Sequence, residues 1–279
     1  MEQATINEWA VYGPTPDLFS NMPLDHIFGP MGRNYGIGIF DDFFRKAATT
    51  LYDGYVILAT SGSCAMIPST GNTATTGLGI ARLTTNGSAN DELAIQLGNA
   101  LDTGPFKIDA GDLAFEARFS VSDITADKHS WFMGLATGGS AGAAITDSAF
   151  VDTTGALYAT NSFLGFQKLY AEAGPVDCMY KLSGQTKQDG ATKTKLDTFH
   201  TVVASTYFKA GFRYKKATNT LHWYLNGVET KAAALTSAEV EAATFPDAVF
   251  LTPTFVLKDV AGDQAVTVDI DWWIAAQSL

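Results

Sequence analysis

Apolar residues recur at every second position through most of this chain. In residues 113–121, Leu113, Phe115, Ala117, Phe119 and Val121 share one face of an extended strand, and Glu116, Arg118 and Ser120 take the other. Residues 265–276 repeat the pattern, placing Val266, Val268, Ile270, Trp272 and Ile274 together and Thr267, Asp269, Asp271 and Trp273 opposite. Leu221, Trp223 and Leu225 alternate with His222 and Tyr224, then run into Asn226-Gly227, the pair suited to positive φ at both centres of a type I′ hairpin turn. Further alternating or apolar runs occupy 93–97, 130–136, 163–170, 210–215 and 250–258, with Gly and Pro mostly between them. The expectation is an all-β protein, an antiparallel two-sheet sandwich.

Helical signals are few. Thr236 and Glu239 form a capping box ahead of Pro246, which predicts one short helix. A second candidate covers 40–49, where Asp41 and Asp42 precede Arg45 and Lys46 in the order a helix dipole favours.

The first 38 residues differ from the rest. Pro14, Pro16, Pro23 and Pro30 interrupt any regular element, yet Trp9, Val11, Tyr12, Leu18, Phe19, Met22, Leu24, Ile27, Phe28 and Met31 are too apolar for a solvated linker. The reading is an extended N-terminal arm, 1–38, followed by a sandwich domain, 39–279. The arm either wraps its own sandwich or lies on a neighbouring subunit or another protein. Trp9, Tyr12, Leu18, Phe19, Met22, Ile27 and Phe28 are its candidate interface residues.

Composition narrows the possibilities. The 279 residues are 46% hydrophobic and only 17% charged, which excludes a largely disordered chain. Net charge is −11, so phosphate backbones are repelled and nucleic acid is not an expected partner. Every apolar run is broken before it reaches membrane-spanning length, so no membrane association is expected. The N-terminus carries acids and no basic or apolar leader, which argues against a secretory signal. Cys64 and Cys178 match no metal spacing and read as buried thiols.

Catalytic signatures are scarce. His26, His129, His200 and His222 are scattered, and nucleophile-elbow and phosphate-loop motifs are missing. One carboxylate pair, Asp269 and Asp271, would project from one strand face about 7 Å apart, a separation glycosidases use. Its strand reads Thr267-Val-Asp269-Ile-Asp271 and lacks the glutamates of the β-jelly-roll glucanases, so both acids read as a solvated face. Among the aromatics, alternation turns Trp223 and Trp272 inward. That leaves Tyr224 and Trp273, with His222 beside them, as outward-facing candidates for stacking on sugars.

The order of segments adds a resemblance. The runs at 37–44, 76–98, 111–124, 130–138, 163–168, 212–229 and 250–259 together resemble structural proteins of tailed bacteriophage virions with concanavalin A-like or laminin G-like jelly rolls. The matching residues are Phe115, Glu116, Ala117 and Arg118, then Phe132, Gly134 and Leu135, then Trp223 to Gly227. The resemblance implies a jelly-roll fold and a virion component assembled in a bacterial host. A capsid decoration or cement protein on the head surface is the role it most suggests, as a homotrimer bound to the major capsid protein. A tail or head-fibre component with a glycan-binding jelly roll is the alternative. With catalytic and metal-ligand patterns missing from the sequence, no enzymatic activity, cofactor or metal is expected.

Overall fold

The computed structural model describes residues 13–20, 22, 36–43, 55–59, 62–67, 79–98, 104–138, 161–182, 193–262 and 264–278. They form two antiparallel sheets face to face. The first holds β1 (Gly36–Asp41), β3 (Ser63–Ile67), β4 (Ile80–Thr84), β7 (Leu113–Val121), β12 (Phe208–Lys215), β13 (Thr220–Leu225), β14 (Val228–Glu229) and β16 (Thr267–Ser278). Its order is β14-β13-β12-β7-β16-β4-β3, and β1 also pairs with β16. The second holds β2 (Tyr55–Ala59), β5 (Asp91–Leu97), β6 (Phe106–Lys107), β8 (His129–Ala136), β9 (Phe163–Lys168), β10 (Pro175–Lys181), β11 (Lys193–Thr201) and β15 (Phe250–Asp259). Its order is β11-β10-β9-β8-β15-β5-β2, with β6 beside β15.

The core lies between the sheets and is aromatic. Phe119 of β7 packs edge-on against Trp131 of β8 at 5.3 Å, and Phe166 of β9 meets Trp223 of β13 at 5.2 Å. Each such side chain removed from water contributes on the order of 2–3 kcal/mol, which holds the sheets together. The inward set read from alternation in β7, Leu113 to Val121, is fully buried. The hairpin after β13 also forms as read, with φ of 47° at Asn226 and 84° at Gly227.

Two expectations are corrected. The helix read at 40–49 begins inside β1, whose pairing with β16 runs through Phe40 and Asp41, and residues 44–49 lie outside the described set. The predicted helix after Thr236 does form, as α1 (Ser237–Val240), and the Glu239 carboxylate accepts from both the N–H and the hydroxyl of Thr236.

The second correction concerns β16. Ile270 lies opposite Phe119 and Trp272 opposite Arg118, so Asp271 is an extra residue, a β-bulge. Strict alternation holds up to Ile270 and then inverts. Val268 and Ile270 point into the core as read, but beyond the bulge Trp273 and Ala275 point inward, and Trp272, Ile274 and Ala276 cover the outer face. Position 38, read as the end of the arm, falls within β1.

Candidate functional surface

The outer face of the first sheet gathers most of the residues singled out above. It carries Ala114, Glu116 and Arg118 from β7, Lys209, Gly211 and Arg213 from β12, His222 and Tyr224 from β13, and Trp272 and Ile274 from β16. Read from alternation alone, this face is solvated. Instead Glu116, Lys209 and Arg213 are buried, because residues 13–20 and 22 of the same chain, a strap, lie across it.

The docking of this segment is specific. Glu116 accepts from the Thr15 N–H at 2.7 Å and from its hydroxyl at 2.5 Å. Lys209 donates to the Gly13 carbonyl at 3.0 Å, and Arg213 donates to the Ser20 hydroxyl at 3.0 Å and the Asp17 carbonyl at 3.4 Å. Leu18 sits over Gly211, where a Cβ would come within 2.6 Å of its methyl group. Leu18, Phe19 and Met22 join Ala114, Tyr224, Trp272, Ile274 and Ala276 in one apolar cluster. Burial raises the Glu116 carboxyl above its ordinary value, although Thr15 and Lys209 pull it down, and burial lowers Lys209.

Beside the strap the same face is polar. Arg118 and Asp271 form a buried ion pair, with the guanidinium 4.4 Å from the centre of the Tyr207 ring. Burial raises the Asp271 carboxyl in spite of Arg118, and it drives the Tyr207 phenol up strongly. Farther out, Arg82 grips Asp269 with two bonds of 2.6 and 2.7 Å. The bulge therefore sends the two aspartates to different arginines instead of aiming them at a common point, and Asp271 is not on a solvated face. Neither is presented as a general base.

The residues named from sequence are placed as follows. Leu18, Phe19 and Met22 are buried on their own sheet, while Trp9, Tyr12, Ile27 and Phe28 lie outside the described residues. Tyr224 does face outward, but only 4% of it is exposed beneath the strap. Trp273 is fully buried in the core, 5.5 Å from Phe43 and 5.8 Å from Tyr55, with its indole N–H donating to the Tyr55 hydroxyl. The outward reading of Trp273 is corrected by the bulge. His222 bonds Glu229 and Thr220, and His26 lies outside the described residues. Cys178 is a buried free thiol, and the Cys64 side chain is not among those described.

Sequence reading missed Glu116, Lys209 and Arg213 as anchors, since charges at alternate strand positions look solvent-facing. A cue was available in the apolar residues of the arm, which need a surface to cover. It also missed a polar cluster at one end of the second sheet. Both ring nitrogens of the buried His129 lack a hydrogen-bond partner, and burial together with nearby Lys168 lowers its pKa to about 3. Lys168, itself lowered to about 8 by burial, donates to the His129 carbonyl at 3.0 Å. Among the described residues no cluster of His, Cys, Asp and Glu is placed to hold a metal ion, and no helix is long and apolar enough to cross a membrane.

No protein family and no curated protein matches the chain in sequence. Solved structures do match in shape. A protein of unknown function, SO2946 from Shewanella oneidensis MR-1, superposes with a TM-score of 0.54 at 12% identity over 88% of each chain. The carbohydrate recognition domain of Emp47p gives 0.53 at 11% identity over 88% of this chain and 96% of that one. An endo-1,3-β-glucanase from Streptomyces sioyaensis gives 0.53 at 12% identity over 88% and 98%. These likenesses, together with the two antiparallel sheets, give the fold as a lectin-like, concanavalin A-type jelly roll.

Proposed function

We propose that this jelly roll is a non-enzymatic structural component of a tailed-bacteriophage particle, a decoration protein on the outer surface of the head. The observation that carries the non-enzymatic part is the engagement of the one candidate carboxylate pair, Asp269 with Arg82 and Asp271 with Arg118. Acids held by opposite arginines and separated by a bulge lack the shared focus that glycoside hydrolysis requires. The virion part rests on the segment order that resembles phage structural proteins. The excess of acidic residues suits an outward-facing shell protein and opposes one facing packaged DNA.

In this role the protein acts by mass action. Binding across several shell subunits stabilises the assembled head relative to states that cannot bind it. Purified protein added to heads lacking it is expected to sediment with them at saturating, stoichiometric occupancy and to raise their resistance to heat. Heads that leave it in the supernatant would sink the reading.

A glycan-binding jelly roll in a tail or head fibre is the second reading. It is favoured by the likeness to the Emp47p carbohydrate recognition domain and to peanut lectin, the latter at a TM-score of 0.53 and 12% identity. Its two aromatic candidates are both covered, Trp273 by the core and Tyr224 by the strap. A glycan array probed with the full chain separates the readings, since the decoration role predicts no saccharide signal above background.

A further inference from the structure

We propose that the end of the sandwich built around His129 is an acid-sensitive latch, closed while the imidazole is neutral and opened by its protonation. This goes beyond the virion reading and stands without it, since purified protein alone tests it.

The latch is a row of ionisable residues where alternation puts the core. Asp259 of β15 pairs with Asp91 of β5 on one side and with His129 of β8 on the other. All three turn inward, since Leu93, Leu257 and Trp131, two positions along each strand, belong to the core. Lys168 of β9, opposite Trp131, shares that face. None of the four is more than 2% exposed.

His129 is the member with no acceptor for an added proton. Both ring nitrogens are buried without a hydrogen-bond partner. Lys168 Nζ donates to the His129 carbonyl at 3.0 Å and to the Leu169 carbonyl at 3.3 Å, which sets a cation beside the ring. Of the acids in the row, Asp259 accepts from the Gly262 N–H at 2.8 Å and Asp91 from the Asn86 N–H at 2.8 Å. Asp123, Asp127 and Lys128 come from the turn between β7 and β8, and Glu172 from the turn after β9. The charges of Glu172, Asp123 and Asp127 act on Lys168, and that of Lys128 acts on Asp259. Asp123 favours a proton on His129, but burial and Lys168 outweigh it. From the first-sheet side, Val121, Val266 and Val268 pack at this end and bring no charge.

The surrounding turns are tied together next to His129. The Val260 and Ala261 N–H groups donate to the Lys128 carbonyl at 2.9 and 3.2 Å, and the Asp127 N–H donates to the Tyr170 carbonyl at 2.8 Å. A protonated ring reaches water only if these turns part. Opening restores the ordinary histidine value of about 6.5, against about 3 in the closed form. The advantage of the closed form is therefore complete above about pH 6.5 and is lost as pH falls towards 3. Lys168, lowered to about 8, makes its change at higher pH and adds no slope in acid. The raised Asp259 carboxyl works in the opposite sense and favours the closed form as pH falls. The His129 contribution alone raises the open population roughly 25-fold between pH 7 and pH 5.

Hydrogen exchange of the full chain at both pH values, corrected for intrinsic rates, reads that rise as the difference between the parent and His129→Gln. Protection in the parent is expected to drop at residues 121–131, 168–174 and 258–262, and to hold at 113–116 and 134–136, toward the opposite end of the sheets. His129→Gln is expected to remove the drop. His200, also lowered by burial, is the control, and His200→Gln is expected to keep it. A parent equally protected at both pH values, or a drop that survives His129→Gln, overturns the proposal. A second readout needs no variant. In the folded parent the His129 ring-proton signals are expected to stay fixed from pH 8 to pH 5, and a folded-state midpoint near pH 6.5 overturns the latch as well.

Discussion

The two sides of the Asp271 bulge make the same kind of ion pair in different surroundings. On one side Arg82 and Asp269 meet at the sheet surface, with side chains 41% and 16% exposed. On the other, Arg118 and Asp271 are each 8% exposed, next to Tyr207. The first pair is screened by water and contributes little. The second has lost its hydration, so its worth lies in each partner preventing the other from being buried alone. Burial sets the difference, and the bulge is what sets Asp271 beside Arg118.

The sharpest way to break this comparison is to remove one arginine from each side. Arg118→Ala leaves Asp271 buried without its partner and is expected to cost about 3–5 kcal/mol in chemical denaturation. A loss under about 1 kcal/mol would mean that the pair is hydrated after all. Replacing both partners, Arg118→Met with Asp271→Leu, is expected to recover most of that loss.

The inversion of facing beyond the bulge is tested next. Trp273→Ala is expected to cost about 3–5 kcal/mol, as for other large aromatics removed from a core. A near-neutral result would return Trp273 to the surface, where the sequence pattern had placed it. Leu18→Ala, which empties the Gly211 notch, is expected to cost about 2–4 kcal/mol. A neutral result there would mean that the strap does not cover the sheet.

The strap also carries a pH dependence. Burial raises the folded-state Glu116 pKa, so the docked form holds the proton more tightly than the released form. Its contribution to docking is complete below about pH 4.3, the unpaired carboxyl value, and declines as pH rises through the raised pKa. Glu116→Gln removes that decline and is expected to leave the protein up to about 1 kcal/mol more stable at neutral pH. An unchanged pH profile in the variant would assign the dependence elsewhere. The smallest effect is expected from Arg82→Ala, under about 1 kcal/mol.

Much of the sandwich was legible because alternation reports which face of a strand is buried. The inner sets of β7 and β13 and the Asn226-Gly227 turn follow from local chemistry alone. The bulge was not legible, because Asp271 is a residue that fits alternation in sequence and breaks it only through pairing with β7. The covered outer face was illegible for a related reason. Glu116, Lys209 and Arg213 look like solvated positions until the partner in space, some hundred or more positions away in sequence, is known. The arm's apolar content said that it must cover something, without saying what. For the site, sequence rightly put Tyr224 on the outer face and wrongly put Trp273 there.

The central claim is that this fold serves a phage head as a surface protein present in many copies. Quantitative mass spectrometry of purified particles tests it most directly, by counting this chain against the major capsid protein. The account predicts hundreds of copies per particle, in fixed proportion to the shell. A few to a few tens of copies, tracking tail proteins instead, would contradict it.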